Sequence, residues 1–128
     1  MIHLVTGGSG SGKSAYAEQC ILDFGGTRRV YIATMQPFGA EGQARIARHR
    51  KMRAAKQFST IECYTNLKEV ELEPGSDVLL ECMSNLTANE IFDPSGAGKA
   101  RADEEILAGV SRLAHQARNL VLVTNEIF

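Results

Sequence analysis

The chain has 128 residues, 44% hydrophobic and 23% charged, with a formal net charge of −1. That length bounds one domain with room for a real core, and the balance of apolar and charged residues excludes a disordered chain. No stretch approaches the roughly 20 apolar residues of a membrane-spanning helix, and the apolar start is too short for a secretory signal, so a cytoplasmic protein without a membrane span is expected.

Ile2 to Val5 reads as a first strand and Lys13 to Asp23 as a first helix. Between them Gly7-Gly8-Ser9-Gly10-Ser11-Gly12-Lys13-Ser14 fits a phosphate-binding loop: glycine, four residues, then Gly-Lys-Ser. Glycines let the backbone turn so that successive N–H groups face phosphate oxygens, and the following helix adds the positive end of its dipole. In that chemistry Lys13 reaches the β- and γ-phosphates and the Ser14 hydroxyl ligates the bridging Mg2+.

After the turn at Asp23 to Thr27, Arg29 to Ala33 clusters β-branched and aromatic residues as a second strand. Thr34 to Ala40 is a loop at the carboxyl end of that strand, the edge at which open α/β sheets bind ligands. Glu41 to Gln57 reads as a helix; wound at about 100° per residue it sets Ala44, Ala47, Ala54 and Ala55 on one side and Arg45, His49, Arg53 and Lys56 on the other. Between Arg28 and Lys56 the basic residues face Glu41 as the only acid, whereas acids dominate from Glu69 to Glu105. Positive neighbours disfavour a second positive charge on His49, and a neutral imidazole is a nucleophile. A solvated histidine on a basic helix is the bland alternative.

Ser59 to Cys63 is a third strand, Asn66 to Glu71 a short helix or turn, and Asp77 to Cys82 a fourth strand that ends in Glu81. A carboxylate closing an apolar strand is what a P-loop protein uses to hold Mg2+ or its water, which pairs Glu81 with Ser14. Met83 to Phe92 is helical, Asp93 to Gly98 a loop, Lys99 to Ala117 an amphipathic helix, and Asn119 to Thr124 a fifth, central parallel strand. Cys20, Cys63 and Cys82 lack metal-ligand spacing and read as buried reduced thiols.

Strands alternating with helices after such a loop predict an α/β fold of the P-loop NTPase type, a RecA-like three-layer sandwich with a mainly parallel central sheet. No Asn-Lys-x-Asp guanine signature is present, which disfavours a signalling switch. A non-catalytic nucleic-acid module is disfavoured too, because the basic segment lacks interleaved aromatics.

Val5 to Ser14, Tyr31-Ile-Ala-Thr34, Arg45-Ile-Ala-Arg-His-Arg50, Ile61-Glu-Cys63, Leu79-Leu-Glu-Cys82 and Val121 to Glu126 occur in an order that resembles the bifunctional adenosylcobinamide kinase/adenosylcobinamide-phosphate guanylyltransferase family. The resemblance implies a cobalamin-pathway transferase. A nucleoside triphosphate, GTP or ATP, phosphorylates adenosylcobinamide; GMP then passes from GTP through a histidine-bound intermediate to that phosphate. It implies that His49 is the guanylylated histidine, that residues 7–14 hold triphosphate with Lys13 catalytic, and that Ala33, Thr34 and Met35 lie beside the nucleotide. Arg50, Lys51, Met52 and Arg53 then contact GTP, Glu62 and Glu81 are further nucleotide-site positions, and Ser14 and Glu81 hold Mg2+. A homo-oligomer without a nucleic-acid partner is implied as well. Family members usually continue past the Thr-Asn-Glu block with a loop, a helix and a strand, so residues 1–128 are expected to be one C-terminally shortened P-loop domain. The alternative enzyme is a P-loop small-molecule kinase with no covalent guanylyl step.

Overall fold

The structure is a computed structural model that describes residues 1–8, 12–36 and 39–125, apart from the side chains of Arg45, His49, Met52 and Asn125. Its elements follow the chain as β1 (Ile2–Gly7), α1 (Lys13–Asp23), β2 (Arg28–Ala33), α2 (Gly39–Ala55), β3 (Phe58–Glu62), a 3-10 turn (Leu67–Glu69), β4 (Ser76–Glu81), α3 (Met83–Phe92), α4 (Ala102–Gln116) and β5 (Asn119–Asn125). Among the described residues the strands form one sheet in the order β1-β5-β4-β2-β3, and every neighbouring pair is parallel. β4 is buried from Ser76 to Leu80, as the apolar run Val78-Leu79-Leu80 requires of a strand covered on both faces.

Helices cover both faces, giving three layers. On one face Ala17 and Ile21 of α1 pack with Val5, Tyr31, Leu79, Val121 and Val123. On the other, Leu86 of α3 and Ile106 and Leu113 of α4 pack with Ile32, Val78, Leu80, Leu120 and Leu122. Gly109 lets α4 close on the 3-10 turn, because a Cβ there would meet the Leu67 side chain at 2.7 Å. None of the described helices is long and apolar enough to cross a membrane.

Element ends shift by a residue or two, with α2 at Gly39–Ala55 instead of Glu41 to Gln57 and β3 at Phe58–Glu62 instead of Ser59 to Cys63, and Cys20 is half-buried rather than buried. Two larger differences have a clear cause. The last helix begins at Ala102 and not at Lys99, since Gly98 at φ 85° starts a turn in which the N–H groups of Arg101 and Ala102 both bond its carbonyl. On α2 the alanine side faces outward: Ala44, Ala47, Ala54 and Ala55 are exposed, while Arg53 is buried. Alanine has little surface to bury, whereas the long arginine stem and flat guanidinium cover an aromatic ring.

β2 leads into α2 on the α1 face and β4 leads into α3 on the opposite face, although the two strands are neighbours. The connections that leave their carboxyl ends therefore diverge to opposite faces, and this is where a crevice opens in a doubly wound sheet.

Candidate active site

The site is assembled by strand register. Glu62 at the end of β3, Ala33 at the end of β2 and Glu81 at the end of β4 stand side by side in one row across the sheet. β1 ends at Gly7, after which the chain turns into α1 through Gly12, whose φ of 83° lies in the left-handed region that favours glycine. α1 carries no acidic residue of its own in its first turn, which leaves the positive end of its dipole to groups from other elements. Ser9, Gly10 and Ser11 lie outside the described residues. Lys13 folds back so that its Nζ donates to the Gly8 carbonyl at 3.3 Å.

Ser14, one residue into the helix, donates its hydroxyl to Glu81 Oε1. The other carboxylate oxygen, Oε2, accepts from the Tyr31 hydroxyl at 3.3 Å. Tyr31 is 7% exposed, and Arg53 lies over its ring with the guanidinium carbon 3.5 Å from the centroid. Burial, and after it the negative charge of Glu81, raise the Tyr31 phenol well above its ordinary range, with Arg53 opposing them. The phenol therefore keeps its proton and stays the hydrogen-bond donor to Glu81.

Thr34 closes the crevice from below. It is fully buried, its hydroxyl accepts from the Cys82 N–H at 2.8 Å, and the same oxygen lies 3.0 Å and 2.9 Å from the carbonyls of Glu81 and Cys82. Asn89 on α3 donates to the Thr34 carbonyl at 2.8 Å. The segment after β2 and the segment after β4 are thus fastened together beneath Glu81.

Of the α2 cations, Arg50 forms an ion pair with Glu62, Arg53 turns inward onto Tyr31, and Lys51 is exposed. His49 belongs to α2 one helical turn before Arg53, and its side chain, like that of Met52, lies outside the described residues. Met35 is half-buried and lines a cleft of about 570 Å³ with Gln36, Glu41, Gly42, Asn85, Ala88 and Asn89. A second cleft, about 610 Å³, opens beside it at the end of β3, and Gln36, Glu62, Cys63, Asn66 and Asp93 are among its walls. The structure thus gathers Lys13, Ser14 and Glu81 at one point, and Arg50 with Glu62 two strands further along.

Sequence reading did not single out Tyr31 or Asn89 as members of the site. Strand alternation sets Tyr31 and Ala33 on one face of β2 and Leu79 and Glu81 on one face of β4, but it carries no signal that these strands are neighbours.

A family model described as "Cobinamide kinase / cobinamide phosphate guanyltransferase" matches residues 3–128. The bifunctional adenosylcobalamin biosynthesis protein CobU of Escherichia coli (strain K12) is 35% identical over 140 residues, covering 99% of this chain and 76% of that protein. The protein of the same description from Salmonella typhimurium is 36% identical over 140 residues with the same coverage. The bifunctional adenosylcobalamin biosynthesis protein CobP of Pseudomonas aeruginosa is 34% identical over 131 residues, covering 98% of this chain and 72% of that protein.

Proposed function

Because the chain belongs to the cobinamide kinase / cobinamide phosphate guanyltransferase family, we propose that it phosphorylates adenosylcobinamide with a nucleoside triphosphate and then transfers GMP from GTP to that phosphate. The observation that carries this reading is the bond between Ser14 and Glu81 at the entrance of α1, directly after the Gly-Lys pair of the phosphate loop.

In the kinase step the loop amides and the α1 N-terminus hold the triphosphate. Lys13 exchanges the Gly8 carbonyl for the β- and γ-phosphate oxygens, so the contact it makes in the free protein is one it gives up on binding. Ser14 Oγ and Glu81 Oε1 are hard oxygen donors at one point, which suits Mg2+; among the described residues there is no cluster of three or more His, Cys, Asp or Glu. Mg2+ commonly takes one or two protein oxygens and completes its shell with phosphate and water, so the donor set fits. Bound there, the ion would neutralise charge on the phosphate oxygens. The substrate hydroxyl attacks the γ-phosphorus, the bond to the leaving diphosphate breaks, and the hydroxyl proton passes to solvent or a nearby base.

In the guanylyl step His49 attacks the α-phosphorus of GTP, forming an N–P bond as pyrophosphate leaves. A phosphate oxygen of the first product then attacks the same phosphorus and releases His49, leaving adenosylcobinamide-GDP. Arg50 and Lys51, neighbours of His49 on α2, supply positive charge for the triphosphate. A cytoplasmic location, where nucleoside triphosphates are at hand, and a homo-oligomeric assembly belong to the same proposal.

The test is product analysis after incubation with adenosylcobinamide, Mg2+ and either GTP or ATP. Successive formation of the phosphate ester and the GDP adduct is expected with GTP. Absence of both products contradicts the reading, and the phosphate ester alone favours a kinase without the guanylyl step.

A further inference from the structure

We propose that Tyr31 is a positioning residue that fixes the Glu81 carboxylate and ties the helix carrying His49 to the Ser14–Glu81 pair. The inference rests on the reading of that pair given above. It begins from the division of Glu81 between two partners: Ser14 takes Oε1 and Tyr31 takes Oε2. A carboxylate held at one oxygen turns about its terminal bond, whereas one held at both has its plane fixed. The oxygen offered at the phosphate loop is therefore aimed by a residue of β2, a different element of the fold.

The second half of the link is Arg53. The residue is buried, 7% exposed, and its Nε is buried with no hydrogen-bond partner among the described residues. A buried cation left without a full set of acceptors is costly unless something answers its charge, and the Tyr31 ring face, 3.5 Å away, does so. The cation on one side of the ring also polarises the phenol toward donation on its far end, where Glu81 accepts. Arg53 thus sets where α2 lies over β2, and through β2 where the helix stands relative to Glu81. His49 is one turn away on the same helix.

Other charged groups on this face come from α1 and the end of α2: Glu18 acts on Tyr31 and is itself paired with Lys56 at 3.3 Å. They hold α1 against α2 but make no contact with Glu81, so the phenol remains the link to the carboxylate.

Two variants separate the hydroxyl from the ring. Tyr31→Phe keeps the platform for Arg53 and removes only the bond to Glu81; Tyr31→Leu removes both. The measurements are anisotropy of a fluorescent GTP titrated with Mg2+, which needs no turnover, and the rate of labelling by α-phosphate-labelled GTP at saturating Mg2+. Tyr31→Phe is expected to raise the Mg2+ concentration for half-maximal binding about tenfold, the size of one hydrogen bond to a charged group. Its labelling rate recovers as Mg2+ is raised. Tyr31→Leu is expected to show the same Mg2+ shift and a labelling rate that high Mg2+ does not restore. A Tyr31→Phe variant with the wild-type Mg2+ midpoint overturns the proposal, as does a Tyr31→Leu variant whose labelling recovers like that of Tyr31→Phe. Wild-type protein without Mg2+-dependent GTP binding overturns the underlying reading of the site as well.

Discussion

Ser14 and Glu81 stand 67 positions apart in the chain and share a hydrogen bond at the carboxyl edge of the sheet. One belongs to the helix after the phosphate loop and the other ends the buried strand β4, so the contact exists only because β1, β5 and β4 are adjacent. It brings a hydroxyl and a carboxylate to the place where a P-loop enzyme holds its ion.

Removing either group of this pair is expected to weaken Mg2+-dependent phosphoryl transfer. Ser14→Ala and Glu81→Gln each lose about a hundredfold in turnover, the range for removing one electrostatic contact at a reacting phosphate. Because the two act as one unit, the double variant is expected to be little worse than the poorer single variant. Initial rates with saturating nucleotide measure this; fully multiplicative losses would show that the residues act independently.

Glu90 supports the cleft beside the site. It is 1% exposed, and its two carboxylate oxygens accept from the backbone N–H groups of Asn66 at 3.1 Å and Ala97 at 3.0 Å. Glu90→Ala takes the acceptor from both donors, of which Ala97 is half-buried and Asn66 exposed to water, and is expected to cost about 1.5 kcal/mol, while Glu90→Gln, which keeps one acceptor, costs less. Urea denaturation of the three proteins gives the comparison.

Cys63 makes stability fall at high pH. Burial, and after it the negative charge of Glu90, push its thiol up from 9.0 to about 11. The unfolded chain loses this proton near its ordinary value while the folded chain keeps it. The contribution is therefore fully present below about pH 9 and is lost as pH rises through about pH 11. The denaturation midpoint is expected to drop over this window, and Cys63→Ser, with no such group, to drop less.

Much of the fold is legible locally. β2 and β4 are bracketed by turn residues, and α1 starts at the lysine of the Gly-Lys-Ser triplet, so their bounds fall within a residue or two of expectation. The phosphate loop is legible for the same reason, since its chemistry is written in consecutive residues. Strand order is not: nothing near β1 states that β5, from the other end of the chain, pairs with it. The facing of α2 is hidden for a different cause. Helical periodicity marks a side of alanines and a side of cations, but which side docks depends on the Tyr31 ring that Arg53 covers, and that ring comes from another element. Tyr31 and Asn89 act through Glu81 and Thr34, so their roles appear only once those neighbours are in place.

The most direct test of the bifunctional account is labelling by GTP carrying a labelled α-phosphate, with Mg2+, in wild-type protein and in His49→Ala. The account predicts covalent label that is acid-labile, stable to base, and absent from the variant, while the variant still phosphorylates adenosylcobinamide. Folded wild-type protein that binds GTP and takes no label, or a variant labelled as strongly as wild type, would contradict it.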